Sequence, residues 1–211
     1  MKNLTNYLAK LPFIAILRGI QSHECLAVAT VLYEADFRCI EVPLNSPNAL
    51  QSIALLAQHL PDDCLIGAGT VISVEDVKAV QQVGGRLIVM PHSDAAVIRA
   101  AKELQMICTP GVATLSEAFA ALQLGANGIK LFPAESVPPS ALKAWRTVLP
   151  KETICLPVGG VKPDGLATYF DAGANGFGVG SNLYTAGQSV QQVSSNAYTY
   201  VKAWQALHLK K

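Results

Sequence analysis

Two ionisable residues stand inside runs that otherwise read as apolar strands. Lys130 lies in Gly128-Ile129-Lys130-Leu131-Phe132-Pro133 and Glu41 in Cys39-Ile40-Glu41-Val42-Pro43. Period-two alternation puts Gly128, Lys130 and Phe132 on one strand face and Ile129 and Leu131 on the other. An ammonium group there is costly to bury unless it is paired or deprotonated. Desolvation lowers its pKa, and a neutral lysine amine is a nucleophile toward carbonyl carbon. A carboxyl group such as Glu41 moves the protons that this chemistry requires. Two plainer readings stand beside it, a solvated lysine on an edge strand and a buried structural ion pair.

Further residues mark where a substrate would be held. Arg18 ends the run Ile14-Ala15-Ile16-Leu17, and a guanidinium at a strand end suits a carboxylate or a phosphate. Thr70 closes Gly67-Ala68-Gly69-Thr70 and offers a hydroxyl at the same rim, while Pro91, Phe132 and Pro133 would make stiff, water-excluding walls. Glycine pairs or singles follow two late strands, as Val158-Gly159-Gly160-Val161 and Val179-Gly180-Ser181-Asn182. Such loops expose backbone N–H groups that can cradle phosphate. No P-loop, nucleophile elbow or dinucleotide fingerprint occurs. The histidines His23, His59, His92 and His208 form no H-x-H or H-x-x-x-H pair, and the cysteines are dispersed, so no metal site is expected.

The elements that must position these groups alternate from end to end. Strands are predicted at Phe13–Leu17, Cys39–Pro43, Cys64–Gly69, Leu87–Met90, Met106–Cys108, Gly128–Leu131, Ile154–Val158 and Gly176–Val179. Helix starts are expected at Ser22, Ser46-Pro47, Ser73, Ser93 and Thr114, the last with capping-box spacing to Glu117. Gly84, Gly125 and Gly173 stand where helices should end. A first helix is expected over about residues 2–10. This order predicts a compact (β/α)8 barrel as a single α/β domain over 1–211, with a wide doubly wound sheet as the alternative. A faint repeat at the helix-to-strand junctions aligns Glu41, Val89, Lys130 and Gly178. In a barrel whose layers come from alternate strands, Glu41 and Lys130 then share an interior layer.

Composition limits the functional classes. In 211 residues, 51 % are hydrophobic and 15 % charged, and the net charge is +1 with no Lys/Arg run. That argues against nucleic acid as a partner. No stretch approaches membrane-spanning length, and residues 1–19 lack a signal-peptide cleavage pattern, so a cytoplasmic setting is expected. The 5 cysteines are odd in number, and Cys39, Cys64, Cys108 and Cys155 sit in apolar runs, where thiols act as small hydrophobes.

Over nearly its whole length the chain resembles the class I 2-keto-3-deoxy-6-phosphogluconate / 6-phosphogalactonate aldolases. The resemblance is carried by Ile16-Leu17-Arg18-Gly19, Ile40-Glu41-Val42-Pro43-Leu44-Asn45-Ser46-Pro47, Gly67-Ala68-Gly69-Thr70, Lys130-Leu131-Phe132-Pro133-Ala134, Val158-Gly159-Gly160-Val161 and Val179-Gly180-Ser181. It implies a homotrimer of barrels that needs no metal or other cofactor. It also implies cleavage of a phosphorylated 2-keto-3-deoxy sugar acid to pyruvate and glyceraldehyde 3-phosphate. Lys130 would form the Schiff base and Glu41 would shuttle protons. Arg18 and Thr70 would hold the pyruvate carboxylate beside Phe132 and Pro91, and Gly159, Gly160, Gly180 and Ser181 would bind phosphate. Asn45-Ser46 replaces the Arg-Thr of the gluconate branch, and Val158 replaces its Thr. Both changes resemble the galactonate branch, with gluconate or dual-epimer activity as the alternative. Away from the resemblance, the same residues also suit a sugar-phosphate isomerase or epimerase with Glu41 as base, or a non-catalytic sugar-phosphate sensor.

Overall fold

The computed structural model of the chain describes residues 3–208. Its strands are β1 (Phe13–Ile16), β2 (Cys39–Pro43), β3 (Leu65–Gly69), β4 (Leu87–Val89), β5 (Ile107–Thr109), β6 (Gly111–Val112), β7 (Ile129–Leu131), β8 (Cys155–Pro157) and β9 (Phe177–Val179). The helices are α1 (Leu4–Leu8), α2 (Cys25–Glu34), α3 (Ala49–His59), α4 (Val74–Gln82), α5 (Ala95–Glu103), α6 (Leu115–Gln123), α7 (Pro139–Trp145), α8 (Leu166–Asp171) and α9 (Val190–His208). All strand pairs are parallel, in the orders β5-β4-β3-β2-β1-β9 and β6-β7-β8. The result is a curled parallel sheet wrapped in helices. A bridge between Val158 and Gly178 links the ends of β8 and β9.

Pro110 separates β5 from β6 where a single strand ending at Cys108 is predicted from the sequence. Proline has no N–H to give to a ladder, yet its carbonyl still accepts from the Lys130 N–H at 2.9 Å. One strand earlier in register, the Asn127 N–H donates to the Cys108 carbonyl, also at 2.9 Å. The interrupted strand therefore still holds the backbone of Lys130.

Side-chain alternation splits the core in two. Outward residues such as Ile40, Val42, Ile88, Ile129 and Leu131 pack under the helices. Inward residues Ile14, Cys39, Leu65, Leu87, Val89, Ile107 and Leu156 form a second group with Leu4, Tyr7 and Leu8 of α1. The first helix thus seals the end where the strands begin, and functional groups are left to the other end. It spans 4–8 instead of about 2–10, closed by an Asn3–Asn6 capping box, and residue 2 lies outside the described residues.

Helix starts follow the sequence only in part. Ser73 and Thr114 cap α4 and α6 in boxes with Asp76 and Glu117. The chain enters α2, α3 and α5 from Glu24, Asn48 and Asp94 instead of Ser22, Ser46 and Ser93. Asp94 wins its position because its carboxylate accepts from both the Ala96 and Val97 N–H groups. Gly84, Gly125 and Gly173 stand just past α4, α6 and α8 with φ of 88°, 87° and 103°, the left-handed conformation that ends a helix.

Candidate active site

Lys130 projects from the middle of β7 into the curl of the sheet. Its neighbours Ile129 and Leu131 are fully buried on the helix side, and Lys130 itself is 5 % exposed. The ammonium nitrogen sits 4.4 Å from the centre of the Phe132 ring, so an aromatic face covers one side of it. Burial pushes the amine pKa down, the Glu41 charge pulls it back up, and the Arg18 charge lowers it further.

Glu41 projects inward from β2 and is 1 % exposed. Burial lifts its pKa from 4.5 to about 7, against the opposing pull of Lys130 and Arg18. Its carboxyl group lies over Gly69 of β3. A Cβ built on Gly69 would fall 1.5 Å from Oε2, so the carboxyl occupies the space that a side chain there would take. Oε2 is buried without a hydrogen-bond partner, and no direct ion pair joins Glu41 to Lys130 among the described residues. A structural pair would be closed and fully hydrogen-bonded. Here the two groups act on each other across a gap, each shifted toward its neutral form.

At the rim, the ends of three strands converge on Arg18. Its guanidinium donates to Asn45 Oδ1 at 2.6 Å and to Thr70 Oγ1 at 3.3 Å. Thr70 has φ of 55°, a left-handed conformation that a β-branched residue adopts only under strain. That turn carries the hydroxyl toward Arg18. Ser46, expected as a helix start, instead accepts from the Gly19 N–H at 2.9 Å and ties the β1 and β2 loops together.

Next to Lys130 opens a cleft of about 310 Å³. Arg18, Lys130, Phe132, Val158, Gly159, Gly160, Gly180 and Ser181 line it, which brings together eight of the residues expected from the sequence. Gly159 and Gly160 have φ of 112° and 66°, and a Cβ on Gly160 would meet nothing within 4 Å. The second glycine therefore presents bare backbone to open space. The Gly180 carbonyl accepts from the Leu183 and Tyr184 N–H groups, starting a turn with Ser181 at its head. Val158 is buried and packs so closely on β9 that a Cβ at Gly178 would sit 2.6 Å from its Cγ2.

Glu41, Thr70 and Asn45 stand behind this cleft, Glu41 beneath it and the other two through Arg18. Pro91 lies apart from the cleft lining, its backbone pressed against Gly111 of β6. Asn182, Tyr184 and Thr185 line the cleft but carried no site signal in the sequence. The Tyr184 hydroxyl donates to Glu24 at 2.8 Å, a bond between residues too distant in the chain for spacing to reveal. Among the described residues, no group of three His, Cys, Asp or Glu side chains is placed to hold a metal ion.

A desolvated lysine, a carboxyl group titrating near neutrality and glycine loops at the strand ends define a Schiff-base site with an anion pocket. Comparison with known proteins places the chain in a family. The model of the KDPG and KHG aldolases matches residues 4–199. The chain is 46% identical over 195 residues to the 2-dehydro-3-deoxy-6-phosphogalactonate aldolase of Escherichia coli K12, covering 92% of this chain and 95% of that one. A native KDPGal structure superposes with a TM-score of 0.92 at 45% identity, over 95% of this chain and 97% of the other. A KDPG aldolase from Legionella pneumophila, with pyruvate captured at low pH as a covalent carbinolamine intermediate, gives a TM-score of 0.77 at 25% identity over 99% and 98%. The chain belongs to the KDPG and KHG aldolase family.

Proposed function

We propose that the chain is a class I aldolase cleaving 2-dehydro-3-deoxy-6-phospho-D-galactonate to pyruvate and D-glyceraldehyde 3-phosphate. The observation that carries this is the unpaired Lys130 and Glu41, both buried and both driven toward their neutral forms, at the base of a cleft with glycine loops. The neutral Lys130 amine attacks the C2 ketone, and Glu41 supplies the proton with which the carbinolamine oxygen leaves as water. The resulting protonated imine takes up the electron pair released as C3–C4 breaks. Glu41 accepts the proton of the C4 hydroxyl as the aldehyde forms. Protonation of the enamine at C3 and hydrolysis of the imine release pyruvate and restore Lys130. A carboxyl group titrating at about 7 is balanced between donor and acceptor, as this sequence of transfers requires.

In this reading Arg18, held by Asn45 and Thr70, binds the carboxylate end, while Phe132 and Pro91 keep the reacting carbons dry. Gly159, Gly160, Gly180 and Ser181 take the phosphate through N–H groups and a hydroxyl. Val158 faces the C4 region without a hydroxyl to offer, so a gluconate-type contact to that epimer is missing. We count β5 and β6 as one interrupted strand and take the sheet as a closed eight-strand barrel over 1–211, a single domain. The β8–β9 bridge and the bonds from Lys130 and Asn127 to the β5–β6 run support closure. Assembly as a homotrimer and a cytoplasmic setting follow from the family resemblance.

Side-by-side kcat/KM values for the two C4 epimers test the substrate. A preference for the galactonate epimer is expected, rising for the gluconate epimer in Val158→Thr. Equal or reversed preference in the wild type would remove the galactonate assignment. The discrimination from one hydroxyl contact is about 1–3 kcal/mol.

A further inference from the structure

Among the described residues, two buried side-chain oxygens have no hydrogen-bond partner, Glu41 Oε2 and Thr109 Oγ1. The first belongs to the site above; the second is unused by it. Thr109 is fully buried at the end of β5. Along that strand Ile107 packs in the interior group and Cys108 in the helix-facing core, so alternation turns Thr109 inward.

Register brings the two orphan oxygens toward one another. Gly67 pairs with Leu87, and Leu87 with Ile107, so Gly69, Val89 and Thr109 form one row across β3, β4 and β5. The Glu41 carboxyl lies over Gly69, at one end of the row, and Thr109 stands at the other. Two interstrand steps span about 10 Å along the sheet and less across its concave face. Thr109 also precedes Pro110, whose carbonyl holds the Lys130 N–H. The hydroxyl therefore faces the same interior as both reacting groups. Buried polar atoms in native proteins are rarely left unsatisfied, and a pair that no protein group serves marks a place for an ordered water.

We propose that Thr109 is a positioning residue for Glu41, its hydroxyl donating to a buried water that in turn donates to Oε2. The water fixes one carboxyl oxygen and leaves the other free to exchange protons above Lys130. It also favours the ionised carboxylate, because both of its hydrogen bonds run toward the negative charge. The charged groups that act on Glu41 are Lys130 from β7 and Arg18 beyond the end of β1. The kinetic part of this proposal rests on the aldolase reading; the titration part does not.

The test compares Thr109→Val, which keeps the shape and loses the hydroxyl, with Thr109→Ser, which keeps the hydroxyl. The Glu41 carboxyl is followed by carbon-13 NMR in Glu-labelled protein, assigned through Glu41→Gln, and kcat is measured across pH. Loss of a hydrogen bond to a charged group should raise the Glu41 midpoint in Thr109→Val by about one pH unit. The matching limb of the kcat profile should move with it, kcat should fall about tenfold, and Thr109→Ser should stay near wild type. An unmoved midpoint in Thr109→Val overturns the proposal, as does a Thr109→Ser protein as impaired as Thr109→Val. If the midpoint moves while the wild type shows no turnover, the aldolase reading fails and the positioning contact survives.

Discussion

Adding one methyl group at Gly69 should remove Glu41 from the reaction without touching Glu41 in the sequence. The new Cβ would lie 1.5 Å from Oε2, 2.3 Å from Cδ and 2.6 Å from Oε1 of Glu41. No carbon can share that space, and the carboxyl is the movable end of a side chain, so it must swing away. Gly69 is not in the left-handed region, so alanine suits the backbone and the protein should fold. General acid–base catalysis contributes about 10²–10⁴-fold, or about 3–5 kcal/mol at 1.36 kcal/mol per decade. Gly69→Ala should lose kcat within that range when pyruvate release is followed continuously, with thermal unfolding as the check on folding. Because both changes act through one carboxyl, Gly69→Ala/Glu41→Gln should be little worse than Glu41→Gln alone. A folded Gly69→Ala protein within twofold of wild-type kcat would refute the placement of Glu41 as the proton carrier.

Three further outcomes follow from the same geometry. The folded Glu41 pKa of about 7 lies above its ordinary 4.5, so between those values the folded state holds a proton that the unfolded chain has released. That contribution to stability is present below about pH 4.5 and is lost as pH rises to about 7, amounting to about 3 kcal/mol. Lys130 acts oppositely, its lowered pKa making stability rise with pH toward 10.5. Urea midpoints at about pH 5 and about pH 8 should therefore differ less in Glu41→Gln than in wild type, and an unchanged difference counts against the buried carboxyl. Thr70→Gly relieves a left-handed threonine that costs about 1–3 kcal/mol, so Tm should hold or rise while kcat/KM falls; a fall in Tm of several degrees contradicts the strain. Ser46→Ala leaves the Gly19 N–H without its partner and should cost about 1–3 kcal/mol and raise KM through the loosened Arg18 loop, whereas unchanged stability and KM would show the tie to be idle.

Much of this arrangement is legible in the chain because strand periodicity is strict. The junction repeat aligns Glu41, Val89, Lys130 and Gly178. The structure puts Val89 in the interior group, couples Lys130 to Glu41, and packs Gly178 against Val158 and Ile16. Capping boxes at Ser73 and Thr114 read correctly because their chemistry is complete within four residues. What escapes the sequence depends on groups far apart in it. Ser46 serves Gly19 instead of its own helix, and the twist of Thr70 answers to Arg18. Pro110 reads as the end of a strand, although its carbonyl keeps the ladder running to Lys130. Thr109 falls just past the predicted strand end, and its inward face becomes visible only when β5 is carried one residue further.

The central claim is that Lys130 is the amine that bonds to the substrate carbonyl. Borohydride reduction in the presence of pyruvate, followed by peptide mass mapping, tests it directly. The account predicts a pyruvyl-derived mass on the peptide carrying Lys130, loss of activity in step with labelling, and no label in Lys130→Ala. Turnover with an unmodified Lys130, or label on another lysine, would contradict it.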